Sequence, residues 1–111
     1  MQLKETKEQG CLIIEIAGRL DVTNSGIIEK KFNDVVEAGE KKIIIDCRNL
    51  EYISSSGLRA FLLLVKKVKT IDGILFLTDL QPDIKEVFDI SGFSSIFNIV
   101  NSKQDAINGM A

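Results

Sequence analysis

The sequence predicts an α/β domain: a mixed, mostly parallel sheet of about five strands with about four helices, in the order β-β-α-β-α-β-α-β-α. Three observations carry this prediction. Short runs rich in branched aliphatic residues, CLIIEIA, KIIIDC and ILFL, have the length and composition of strands. Between them lie longer segments whose apolar residues recur every three or four positions, as on one face of a helix. The chain has 111 residues, 45% of them hydrophobic, which suffices for one core and not for two. Residues 1–111 are therefore read as one domain.

The elements follow in order. Leu3 to Glu8 reads as a weak, edge-like strand, and Gln9-Gly10 turns it into Cys11 to Ala17, with Leu12, Ile14 and Ile16 on one face. Gly18 to Ser25 reads as a loop. Ile27, Ile28, Phe32, Val35 and Val36 then mark a helix that Gly39 can end. Lys42 to Cys47 contains the unbroken run Ile43 to Ile45, expected of a strand covered on both faces. A loop through Asn49 leads to Tyr52-Ile53 and the serines Ser54, Ser55 and Ser56. Leu58, Phe61, Leu62, Val65 and Val68 give the next helix its inward face, and Leu63 and Leu64 widen it, which predicts the most buried helix. Lys66, Lys67 and Lys69 fall in its last turns, where cations suit the helix dipole. Asp72-Gly73 is a turn before the strand Ile74 to Leu77. Pro82 opens a helix whose inward face is Ile84, Val87 and Phe88 and which Gly92 can end. A short strand is expected over Ile96 to Ile99. Ser102, with Asp105 three residues on, caps a last helix over about Lys103 to Asn108.

Composition narrows the chemistry. The chain has no histidine, so it lacks the commonest general base and zinc ligand, and a Ser/His/Asp or Cys/His arrangement is impossible within it. Cys11 and Cys47 both sit in apolar runs and read as buried thiols, which fits a reducing cytoplasm. A net charge of −2 gives no electrostatic footprint for nucleic acid. The start, MQLKETKEQG, lacks the apolar segment of a secretory signal, and the longest apolar run, Ala60 to Val65, falls far short of the ~20 residues that span a bilayer. These readings predict a cytoplasmic protein without membrane insertion, cofactor, metal or catalytic residues.

Two polar loops stand out and are expected at one end of the sheet: Gly18-Arg19-Leu20-Asp21-Val22-Thr23, after a core strand, and Ser54-Ser55-Ser56-Gly57, opening the most apolar helix. One serine suffices for a helix cap. Three hydroxyls followed by glycine exceed that need, and leave an anion-binding turn or a phosphoacceptor open. The phosphate-loop and dinucleotide fingerprints are absent.

The run KKIIIDCRNLEYISSSGLRAFLLLVKKVK resembles the signature of STAS domains, the sulphate-transporter and anti-sigma-factor-antagonist family. The matching residues are Ile43 to Asp46, Leu50, Tyr52, Ile53 and Ser54 to Leu58, with further matches at GRLD, Gly18 to Asp21, and at VFDISGF, Val87 to Phe93. The resemblance implies the STAS, anti-sigma-factor-antagonist-like fold. It implies an anti-sigma factor antagonist that binds an anti-sigma factor/serine kinase when unphosphorylated, is released on phosphorylation, and is reset by a PP2C-type phosphatase. It maps the phosphoacceptor to Ser55, with Ser56 as second choice. It also implies a partner-binding surface of Asp21, Thr23, Ser54, Ser55, Ser56, Gly57 and Arg59, on a protein that is monomeric when free. Gly57 is expected to let the backbone turn tightly and keep that surface bare, and Leu58 to anchor the core. This chain departs from the family pattern at Ser54, where the motif has Asp, and at Arg59, where Gly is frequent.

A second function in keeping with the resemblance is a cytoplasmic STAS adaptor of a lipid or anion transport complex, indifferent to phosphorylation. A third, an enzyme built on Asp21, Asp46 and Asp79, is disfavoured because single aspartates at strand ends commonly cap loops.

Overall fold

The computed structural model describes residues 1–110. The elements are β1 (Gln2–Glu8), β2 (Cys11–Leu20), α1 (Ser25–Glu37), β3 (Lys42–Asp46), β4 (Leu50–Ile53), α2 (Ser55–Thr70), β5 (Ile74–Thr78), α3 (Pro82–Ile90), a 3-10 turn (Phe93–Ser95), β6 (Asn98–Val100) and α4 (Lys103–Gly109). The main sheet runs β1-β2-β3-β5-β6, and β4 pairs with β2 off that path. Among the described residues, only the β1–β2 pairing is antiparallel. Its turn has positive φ at both central residues, 51° at Gln9 and 80° at Gly10, the handedness that matches strand twist in a two-residue hairpin.

Alternation along the strands splits the core in two. Leu12, Ile14, Ile16, Ile43, Ile45, Leu75 and Leu77 face α1, α2 and α3. Cys11, Ile13, Ile44 and Phe76 face the opposite way, onto Ala106, Ile107 and Met110 at the C-terminal end of the chain. The continuous run Ile43 to Ile45 is thus covered on both faces, as expected. On the larger side Phe61 of α2 lies at the centre of an aromatic cluster. Its ring meets Phe32, Phe88 and Phe97 edge-on at centroid distances of 5.6, 6.0 and 6.5 Å. Both cysteines are free and buried. Burial, with the nearby Asp46 and Asp79 carboxylates, pushes the Cys47 thiol pKa up and keeps it protonated.

Four details differ from the sequence reading. First, β2 continues to Leu20, so the expected loop from Gly18 shrinks to 21–24. Second, Leu50–Ile53 is a strand, β4. The long β2 pairs with β3 through Leu12 to Glu15 and with β4 through Gly18 to Leu20. The chain jogs between the two at Cys47 to Asn49, where the Gly18 amide donates to the Asn49 carbonyl at 2.8 Å. Third, β6 starts at Asn98, because Phe93–Ser95 winds into a 3-10 turn that seats Phe97 in the core. Fourth, Ile27, Val87 and Leu63 turn outward, and the inward faces are Ile28, Phe32 and Val35 on α1, Ile84 and Phe88 on α3, and Ala60, Phe61, Leu64, Val65 and Val68 on α2. Leu58 is half-buried and packs on the rim of the core.

The start of α2 is fixed by a close approach. Gly57 is buried, and a Cβ there would lie 2.8 Å from Leu20 Cγ and 2.9 Å from Ile53 Cγ1. Those are the last residues of β2 and β4, so the first turn of α2 rests directly on two strand ends. Gly57→Ala is therefore expected to destabilise the fold by about 1–3 kcal/mol, because both neighbours are packed and neither side chain can retreat freely. Urea denaturation of the two proteins measures the difference.

Candidate functional site

The two polar loops meet at the C-terminal ends of the parallel strands. The Ser54 amide donates to the Leu20 carbonyl at 2.9 Å, which ties the serine turn to the residue preceding Asp21. Both loops therefore share one end of the sheet, as the sequence predicts.

The three serines divide the work at the start of α2. Ser54 is the N-cap: its extended backbone precedes the helix, and its hydroxyl accepts from the Gly57 amide at 3.2 Å. The same hydroxyl shares a 2.9 Å hydrogen bond with the Ser56 hydroxyl. The oxygen thus caps α2 where the family motif carries a carboxylate. Ser55 is the first residue of α2 and is exposed, and among the described residues no side-chain hydrogen bond engages its hydroxyl. Ser56 is half-buried and held by Ser54. Gly57 lies beneath this surface, and its φ is not positive, so its role is close packing against Leu20 and Ile53 instead of a tight backbone turn or a bare surface. Arg59 is exposed one turn further along α2.

The β2–α1 loop is knitted around Asp21. Its carboxylate accepts from the Thr23 amide at 3.0 Å and the Thr23 hydroxyl at 2.5 Å. Its backbone amide donates to Asn24 Oδ1 at 2.9 Å, and Asn24 donates in turn to the Arg19 carbonyl at 2.9 Å. The Thr23 hydroxyl bond, followed by the Thr23 amide bond, holds the Asp21 carboxyl below the usual carboxylate range. Val22, between them, is 77% exposed.

Arg19 and Tyr52 add a feature that the sequence reading lacks. They are register partners on β2 and β4, and the guanidinium lies 4.1 Å from the centre of the tyrosine ring. The signal is the parallel register of β2 and β4, which is not visible where the sequence predicts a loop from Gly18 and no strand at Tyr52.

Asp46, the last residue of β3, and Asp79, just after β5, both hold the Arg48 segment. Asp46 accepts from the Arg48 amide at 3.0 Å, and Asp79 lies 3.9 Å from the Arg48 guanidinium. Among the described residues, no group of three or more His, Cys, Asp or Glu side chains is placed to hold a metal ion. Among the same residues, no helix is long and apolar enough to cross a membrane.

Comparison with known proteins agrees with this architecture. The STAS domain family matches residues 2–106, and the chain belongs to that family. It is 40% identical over 106 residues to BtrV of Bordetella bronchiseptica, which is named a candidate anti-sigma factor antagonist; the match covers 96% of this chain and 91% of that protein. Its fold is similar to that of a crystal structure from Thermotoga maritima, described as a candidate anti-sigma factor antagonist, with a TM-score of 0.92, 17% identity, and coverage of 97% and 93% of the two chains. It is also similar to the Bacillus cell fate determinant SpoIIAA in its phosphorylated form, with a TM-score of 0.76, 20% identity, and coverage of 99% and 100%.

The Asp21 bonds carry a prediction. Thr23→Val removes the hydroxyl donor and keeps the backbone one, so the Asp21 pKa is expected to rise toward its ordinary value. A folded pKa below the unfolded one contributes stability above the unfolded value and loses it as pH falls through the folded value. The wild-type advantage over Thr23→Val is thus present at neutral pH and disappears in strong acid. Carboxyl-detected NMR titration reads the pKa, and denaturation at the two pH values reads the stability.

Proposed function

We propose that this protein is an anti-sigma factor antagonist working as a partner switch. Unphosphorylated, it binds an anti-sigma factor that is also a serine kinase, through the surface formed by Asp21, Thr23, Ser54, Ser55, Ser56 and Arg59, with Gly57 setting the backbone beneath. The kinase transfers the γ-phosphoryl group of ATP to Ser55 Oγ. A new O–P bond forms, the bond to the ADP leaving group breaks, and the hydroxyl proton is lost. A PP2C-type phosphatase returns the hydroxyl by hydrolysis, with inorganic phosphate as product. The antagonist supplies a shaped surface and an acceptor oxygen, and the catalytic groups belong to its partners.

One observation carries this reading. Of the three serines, Ser55 alone is exposed and without a side-chain hydrogen bond among the described residues, at the head of a helix whose seat is fixed by Gly57. Ser56 is the weaker acceptor because modification would sacrifice its bond to the capping hydroxyl. The likeness to BtrV supports the antagonist role in general terms. A phosphate adds about −1.5 to −2 charges at neutral pH, which suits a helix N-terminus and disrupts an interface without counter-charges. The modification thus acts mainly on binding.

The test compares wild type with Ser55→Asp, each immobilised and exposed to native lysate, with captured proteins identified by mass spectrometry. The proposal predicts that wild type captures a serine kinase of the anti-sigma type. Ser55→Asp should keep its circular dichroism spectrum and bind that kinase about tenfold or more weakly in calorimetry, equivalent to ~1.4 kcal/mol. Equal capture of an ATPase or transporter subunit by both proteins contradicts it and favours the transport adaptor.

A further inference from the structure

Ser55 and Arg59 stand four residues apart on α2, both exposed, with the acceptor N-terminal to the cation. On a helix surface that spacing places two side chains one above the other, and an anion on the N-terminal side of a cation is the favourable order. Among the described residues Arg59 takes part in no ion pair and no side-chain hydrogen bond, so its guanidinium is free to meet a new anion without breaking an existing contact. The first turn of α2 holds no acidic residue that a new anion would have to displace. We infer that Arg59 is the intramolecular counter-charge for a phosphate on Ser55, holding the modified side chain against the first turn of α2.

The inference rests on the proposed modification of Ser55 and adds what becomes of the phosphate once attached. Its surroundings are mixed: the start of α2 favours an anion and the neighbouring loop opposes one. The β2–α1 loop next to the serine turn carries Asp21, which the Thr23 bonds keep ionised, and like charges repel. From α1, Glu29 lines the groove against Ala60 and Leu63 of α2 and is the α1 carboxylate whose influence the test has to separate from that of Arg59. A guanidinium suits the phosphate better, because its planar fork can meet two phosphoryl oxygens at once. The consequence is a defined phosphorylated surface: the arginine that is free in the unmodified protein becomes occupied. A partner that reads Arg59 in the free state therefore loses a contact in the same step that adds the charge.

The test installs phosphoserine at position 55 during translation, so it needs no kinase and its outcome is independent of whether the partner switch exists. Phosphorus NMR titration then reads the second ionisation of the phosphate, ordinarily near pH ~6. In the wild-type background the value is expected to lie lower than in Arg59→Gln by about 0.3 unit or more, with Arg59→Lys in between. Matching circular dichroism spectra confirm that the exposed substitutions leave the fold unchanged. Equal second pKa values in the wild-type and Arg59→Gln backgrounds overturn the inference, since the helix dipole alone then accounts for the phosphate environment. Loss of the difference when Glu29 is replaced by Gln also overturns it, because the effect would then arise through the carboxylate of α1.

Discussion

The contact on which the rest depends is the seating of Gly57 on Leu20 and Ile53. A helix start can approach two strand ends this closely only where there is no Cβ, and the 2.8 and 2.9 Å separations leave no room for one. That approach brings the Ser54 amide to the Leu20 carbonyl and sets the serine turn beside the Asp21 loop. It also gives β4 its purpose. The chain leaves β3 at Asp46, jogs along β2, and pairs again, so that Ile53 and Leu20 end side by side as a platform for α2.

Rigidity below and exposure above are then separate properties of one helix turn. Below, Phe61, Leu64, Val65 and Val68 anchor α2 in the larger core, and the Ser54 hydroxyl satisfies the Gly57 amide. Above, Ser55 and Arg59 project from the same turn-to-turn stripe without structural duties among the described residues. A charge added at Ser55 thus costs the core nothing. On the proposed function, it alters what a partner meets. This division is what a binding switch requires: most of the free energy of modification is expressed at an interface, and little in folding.

The sequence made some of this legible and hid the rest for identifiable reasons. The runs around Ile14, Ile44 and Leu77 are unmistakable because buried strands concentrate branched aliphatics, and the capping hydroxyl of Ser102 is a local signal that the 3.1 Å bond from the Asp105 amide bears out. β4 escaped because its four residues are buried only at Leu50 and Ile53, with Glu51 and Tyr52 exposed, so no alternation survives the register shift beside Gly18. Val87 and Leu63 face outward against expectation because an apolar residue at the flank of a helical stripe can face either way, and only the neighbouring elements decide. At the site, the serine run itself was visible. The different duties of Ser54, Ser55 and Ser56 depend on where each hydroxyl points, which one-letter patterns do not record. The need for glycine at position 57 is hidden too, since the groups that demand it are Leu20, far away in sequence, and Ile53. The Arg19–Tyr52 stack has no local signature at all.

The most direct measurement is phosphate mapping by mass spectrometry on the protein recovered from the cells that make it, before and after treatment with a metal-dependent serine phosphatase. The account predicts phosphate on Ser55, removed by the phosphatase, with Ser54 and Ser56 unmodified because their hydroxyls are engaged with each other and with the helix cap. Phosphate confined to Ser56, or a protein that carries none under any growth condition, contradicts it.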